Sequence, residues 1–162
     1  MAAAPAAIAT PPVAALVEAA LTFAADPDRW PVPLRFDAER RWYTRLATAG
    51  SAGSEVWGLT WLPGQATGLH DHGGSAGVFV VVSGLLTEET VRATDGRVSV
   101  RRLPAGTVRS FGPHHIHRVV NAGPAPAVSV HAYAPALRTM TRYRLTGGAL
   151  HVESVDRAGA DW

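Results

Sequence analysis

The rhythm of apolar positions changes near residue 41. Upstream, Leu16, Ala19, Ala20 and Phe23 recur at three- and four-residue intervals. That spacing predicts a helix from Pro12 to about Ala25 with one face packed on the main body. Pro11 and Pro12 suit its first turn and Asp26-Pro27 its end, because proline fixes φ and disfavours helix in the residue before it. Downstream, short β-rich runs follow one another at 56–61, 78–82, 86–91, 98–103, 118–121, 128–133 and 141–145. Pro63-Gly64, Gly73-Gly74, Ser83-Gly84, Asp95-Gly96, Ala105-Gly106 and Gly123-Pro124 lie between them and read as turns. Asp95-Gly96 is a hairpin signal, since glycine removes the cost of positive φ. Many short strands at even spacing predict an all-β sandwich or barrel. Residues 1–10 read as a flexible Ala/Pro/Thr tail, 11–40 as an N-terminal helical segment and 41–157 as the β domain. No internal repeat is visible.

Composition narrows the function classes. A chain of 162 residues with 47% hydrophobic residues fits one folded domain and argues against wholesale disorder. The net charge is only +2; the sequence pI of about 9.7 reflects arginine over lysine. No basic block or aromatic–basic alternation is present, so a nucleic-acid partner is not expected. The chain has no cysteine, which excludes disulfides, zinc–thiolate and iron–sulfur sites and a cysteine nucleophile. Any metal must be held by His, Asp or Glu. The Ala-rich start lacks a basic n-region and is broken by Pro5, Pro11, Pro12 and Glu18, unlike a secretory signal. No apolar stretch is long enough to span a bilayer. A soluble, cytoplasmic protein without a membrane partner is expected, a monomer in the first instance with a homo-oligomer left open.

The histidines carry the chemistry. His70-Asp71-His72 sits in a β-rich context, where residues two apart share a face. Both imidazoles can then reach one metal while Asp71 points away. His117 opens a later run and antiparallel pairing can bring it opposite the pair. An isolated histidine is more often a surface or structural residue; an H-x-H pair followed by Gly-Gly and an apolar strand, with a third His downstream, is better read as a metal site. Ser129, His131 and Tyr133 also alternate. Periodicity leaves open whether this stripe is a buried hydrogen-bond relay or an outer face, and its company with the His pair favours the relay. His114 and His115 read as turn residues, one of which could substitute as ligand although His117 fits the spacing better, His151 as unrelated to the chemistry and Trp61 as core. Arg138, Arg142 and Arg144 read as solvated charge, one of them a candidate for a pocket mouth.

These residues resemble two motifs of the cupins. His70-Asp71-His72 with Gly84 is similar to the first, and Gly112-Pro113 through His117 and Asn121 to the second. The glutamate that usually follows H-x-H is missing from Gly73-Gly74-Ser75-Ala76-Gly77, which leaves a neutral three-histidine set, as in the cysteine dioxygenase family. Tyr43-Thr44-Arg45 resembles that family's Y-T-R segment, His117-Arg118-Val119 its H-R-V, and Ser129-x-His131-x-Tyr133-x-Pro135 its S-x-H-x-Y-x-P; Trp61 precedes H-D-H as it often does there. The resemblance spans about residues 41–135. It implies a cupin barrel (a double-stranded β-helix, jelly-roll-like) with a short N-terminal helical segment. It implies one Fe(II) per chain on His70, His72 and His117, substrate binding by Arg45 and Tyr43, and catalytic roles for Tyr133, His131 and Ser129. The implied reaction takes L-cysteine and O₂ to cysteine sulfinic acid. Animal members carry a cysteine that crosslinks to the relay tyrosine; Gly77 stands here, so Tyr133 is expected to be a free phenol.

Three readings compete. A 3-mercaptopropionate dioxygenase shares fold, metal and reaction, but that branch tends to carry Gln where Arg45 stands. An oxidase of N-terminal cysteine on proteins would not need a carboxylate clamp. A non-catalytic metal- or ligand-binding cupin would bind metal without consuming O₂ and would not need the Ser129–His131–Tyr133 relay. Three imidazoles also suit Zn, Ni or Cu.

Overall fold

The computed structural model describes residues 12–49 and 53–160; the segment expected to be a tail lies outside them. Helix α1 spans Val13–Ala24 and buries Leu16 and Ala20, as the spacing predicts. A single 3₁₀ turn, Pro27–Arg29, follows and delivers Trp30. The Trp30 ring covers Gly58, where a Cβ would lie only 2.4 Å from it, and its Nε1 donates to the Phe23 carbonyl at 2.9 Å. Glycine at 58 is thus a packing requirement: the indole fills the space of the missing side chain.

Eleven strands follow among the described residues: β1 (Tyr43–Ala49), β2 (Ser54–Trp61), β3 (Leu69–His70), β4 (Ala76–Ser83), β5 (Leu85–Val91), β6 (Val98–Pro104), β7 (Val108–Phe111), β8 (His117–Val120), β9 (Ala127–Ala134), β10 (Thr139–Thr146) and β11 (Ala149–Arg157). They form two antiparallel sheets, ordered β1-β2-β9-β4-β7 and β11-β10-β3-β8-β5-β6. This is the all-β, jelly-roll-like barrel that the motifs imply. The runs read from sequence fall in β2, β4, β5, β6, β8, β9 and β10. The others are short, polar or at an edge, where apolar alternation is weak.

Two cores result. Val56, Val78, Val80, Val130 and Ala132 on the outer face of the first sheet pack with Leu16, Ala20 and Trp30. Trp61, Phe79, Val81, Leu86, Leu103, Phe111, Val119 and Tyr133 fill the second cluster, inside the barrel. Strand β9 separates them and is buried at all eight positions. Its apolar residues face the helix, so the alternating Ser129, His131 and Tyr133 must face inward. Each large side chain so buried contributes about 1.5–3 kcal/mol; a polar stripe placed there must be hydrogen-bonded.

Candidate active site

Backbone register assembles the histidines. β3 pairs with β8 so that His70 lies opposite His117, and β10 holds β3 from the other side with Arg142 opposite His70. His72 lies two residues beyond His70, just past the strand. Asp71 keeps this exit in place: one carboxylate oxygen accepts from the Gly73 and Thr141 N–H groups, the other from the Tyr143 hydroxyl at 2.7 Å. Asp71 therefore points away from the cluster, as alternation predicts.

His70, His72 and His117 are buried, and each offers a ring nitrogen within 4.8 Å of the others. Their partners fix which nitrogen is free. His70 Nδ1 lies 2.9 Å from the Gly68 carbonyl and His117 Nδ1 2.9 Å from the Glu88 carboxylate. Both partners only accept, so both Nδ1 atoms carry the proton and both Nε2 lone pairs remain available. Both nitrogens of His72 are buried without a partner, an arrangement that is costly unless something binds there. Burial first, and mutual repulsion second, hold His70 and His72 well below the usual imidazole pKa. Burial also lowers His117, against the pull of Glu88. Neutral, converging, under-satisfied imidazoles fit a divalent transition metal, and no carboxylate joins the set.

The relay is formed and has a direction. Ser129 Oγ lies 2.9 Å from His131 Nε2, and His131 Nδ1 lies 3.2 Å from the Tyr133 oxygen. Trp61 Nε1, which can only donate, points at Ser129 Oγ from 2.9 Å. The serine proton is then satisfied by donation to Nε2, which leaves the His131 proton on Nδ1 to donate to Tyr133. The phenol's own proton is left for the cavity. Burial keeps His131 neutral and raises the Tyr133 pKa, so this polarity holds at ordinary pH. Trp61, expected as core, is core and also the first donor of the chain. Phe79 stacks on the His131 ring at 5.0 Å and 13°. Gly77 lies opposite Tyr133, and a Cβ there would come within 2.4 Å of the Phe111 ring. Phe111 thus fills the space that a side chain at 77 would need.

A cavity opens beside these groups. Its wall includes Arg41, Tyr43, Trp61, His70, His117 and Tyr133. Arg41 and Arg142 both line it, Arg142 in an ion pair with Asp156 and Arg41 in none among the described residues. The Arg41 Nε and Nη1 are buried without a hydrogen-bond partner, its guanidinium lies 4.7 Å over the Trp61 ring, and burial, partly offset by Tyr133, lowers its pKa to about 10. It remains a cation at neutral pH. Arg45, the arginine of the Y-T-R segment, is elsewhere: exposed, it lines a neighbouring depression with Glu55 and Leu137, its guanidinium 5.8 Å from the Trp57 ring. Tyr43 does reach the cavity wall. Arg41 shares a face with both by alternation, so the sequence signal was present, but nothing showed which arginine would reach the cavity. Sequence reasoning also passed over Glu88, and it read His115 as a turn residue or substitute ligand. Both sit behind His117, with His115 Nε2 2.8 Å from Glu88.

The cysteine dioxygenase type I family model matches residues 4–145. No curated protein matches the chain. Among solved structures, a conserved double-stranded β-helix protein from Klebsiella pneumoniae is 20% identical with a TM-score of 0.55, covering 75% of this chain and 90% of its own. The protein TT1209 from Thermus thermophilus is 22% identical with a TM-score of 0.57, covering 68% and 95%. An oxalate oxidase is 17% identical with a TM-score of 0.54 and covers 60% and 52%. These likenesses establish the cupin-type fold.

Proposed function

The chain belongs to the cysteine dioxygenase type I family, and from that membership we propose that it is an iron-dependent dioxygenase of a small, carboxylate-bearing thiol. The balanced reaction is RSH + O₂ → RSO₂H, a sulfinic acid. The observation that carries this reading is the cavity wall, where His70 and His117 of the histidine trio, the Tyr133 phenol with its free proton and the Arg41 guanidinium with two unpartnered nitrogens border one small space, with His72 closing the trio beside them. The space is roughly 140 Å³, below the about 300–1,000 Å³ of sites for drug-sized ligands, so the occupant is small.

Iron held by His70, His72 and His117 would supply the binding of thiolate and O₂ and the electron flow between them. The remaining work belongs to the chain. Arg41 takes the substrate carboxylate, a fork-shaped donor meeting a planar acceptor without water to compete. We assign it the role that Arg45 holds by motif, and Arg45 a place at the outer rim. Tyr43 orients the carboxylate from the start of β1, two residues on from Arg41. Tyr133 donates a hydrogen bond to the reacting sulfur or oxygen, held by His131 and Ser129.

L-Cysteine is the substrate expected from the motif. One observation favours a second substrate: among the described residues the cavity wall carries Arg41, and Arg142 in an ion pair with Asp156, but no carboxylate, so a substrate ammonium finds no anionic partner in the wall. A mercapto acid lacking the amine, such as 3-mercaptopropionate, suits that charge better. O₂ uptake by the Fe(II)-loaded protein with L-cysteine, 3-mercaptopropionate and cysteamine tests both points. Both acids are expected to be oxidised to sulfinates, with cysteamine, which has no carboxylate, far slower. Metal binding without O₂ uptake for any thiol would leave the non-catalytic cupin reading standing instead.

A further inference from the structure

Glu88 is a carboxylate in the barrel wall with no solvent exposure, and neither the substrate nor the relay uses it. It stands on β5, with Glu89 beside it turned outward to Arg118. Its Oε1 accepts from His117 Nδ1 at 2.9 Å and from His115 Nε2 at 2.8 Å. Its Oε2 accepts from Arg109 Nε at 2.6 Å. His115 is itself fixed by stacking on Phe111, 4.8 Å between ring centres. Burial alone would raise the Glu88 pKa, but the bonds from His115, His117 and Arg109 outweigh it and keep the group ionised. A buried anion with three donors on two oxygens is a costly arrangement to build for packing alone.

Glu88, His115 and His117 also lie close enough to hold a metal by themselves. Arg109 argues against that use, because its guanidinium already neutralises the carboxylate from the far side. The cluster instead faces the imidazole from behind. We propose that Glu88 is a positioning residue of the metal centre, which locks the His117 proton on Nδ1, aims Nε2 at the ion, and supplies from one bond further out the negative charge that three imidazoles lack. A carboxylate behind a ligating histidine raises that ligand's basicity and fixes its ring. Arg109 and His115 set how much of the Glu88 charge reaches His117.

This inference rests on the reading that His70, His72 and His117 bind a metal, and the test separates the two. Co(II) binding to the metal-free protein is measured by titration under anaerobic conditions, together with the visible d–d spectrum and the Fe(III)/Fe(II) potential of the iron form. In Glu88→Gln the size is kept and the charge lost; Co(II) affinity is expected to fall about 10–100-fold, with a shifted cobalt spectrum and a higher iron potential. Arg109→Gln is the opposing variant. It frees the carboxylate of its counter-charge, so Co(II) affinity is expected to hold or tighten, whereas a merely structural cluster would lose affinity in both. Wild-type protein that binds no Co(II) would overturn the metal reading itself. Wild-type binding with unchanged affinity in a folded Glu88→Gln, or a tenfold loss in a folded Arg109→Gln, would overturn the role of Glu88 alone. Should Glu88→Gln not fold, Arg109→Gln still decides.

Discussion

Arg41 holds Nε and Nη1 of its guanidinium out of water without a partner, an arrangement that costs stability until an anion arrives. The same residue should therefore move function and stability in opposite directions. Replacing Arg41 by Met removes the carboxylate's partner; losing one member of a desolvated charge pair costs about 2–5 kcal/mol, or roughly 30-fold or more in kcat/KM for a carboxylate thiol. The substrate-free protein should in turn gain about 0.5–2 kcal/mol, as removing a strained functional charge commonly does. Arg45→Met, at an exposed position, should change kcat/KM by less than about threefold, since rim charges act mainly through screened steering. Steady-state kinetics and denaturant melts of the two variants check this directly. A large kinetic loss in Arg45→Met with none in Arg41→Met would return the clamp to the motif's own arginine.

At the scale of elements, the site depends on a strand that ends where its second ligand begins. β3 is only Leu69–His70, too short to hold His72 by its own ladder. Asp71 makes up the difference by tying the exit to β10 through the Thr141 N–H and the Tyr143 hydroxyl. Asp71→Ala leaves those donors short of an acceptor and should cost about 1–3 kcal/mol. It should also weaken metal binding, because His72 loses its fixed approach. Urea melts and a Co(II) titration of the variant test both, and a stable variant that binds metal normally would show that Asp71 plays no such part. Alternation along strands made much of this readable beforehand. It put His70 and His72 on one side and Asp71 on the other, and lined up Ser129, His131 and Tyr133. It could not say which face of β9 was interior, because that depends on α1 covering the other one. Glu88 was hidden for a related reason. In Glu88-Glu89 two carboxylates look like a solvated pair, and only the β5–β8 register, with Glu88 opposite Val119 and Glu89 opposite Arg118, turns one inward. The clue was Leu86, two residues earlier and fully buried on the same side.

At the scale of the whole molecule, four imidazoles are enclosed in one small barrel, and acid should find them together. His70, His72, His117 and His131 are all held below the usual imidazole pKa, burial being the first cause in each. Unfolding returns them to about 6.5. Below that pH the unfolded chain binds protons that the folded chain refuses, so stability falls as pH falls, by about 1.4 kcal/mol per pH unit for each such proton. Glu88 acts in the same direction but lower. Its depressed carboxyl stabilises the fold in full above the ordinary carboxylate value of about 4.3 and loses that contribution as pH drops through the folded-state value. Each histidine that stays neutral in the fold adds to this loss, which is drawn on the roughly 5–15 kcal/mol that holds a domain of this kind. The metal-free protein should accordingly show a urea midpoint that is level above pH 7 and drops steeply between pH 6.5 and 5. Co(II) should lift the curve near neutrality, because bound imidazoles cannot take protons, and should steepen its acid limb as the ion is released. A urea midpoint that stays flat from pH 7.5 to 5.5 without metal would mean that the four rings are not enclosed together, and with them would go the neutral cluster on which metal binding depends.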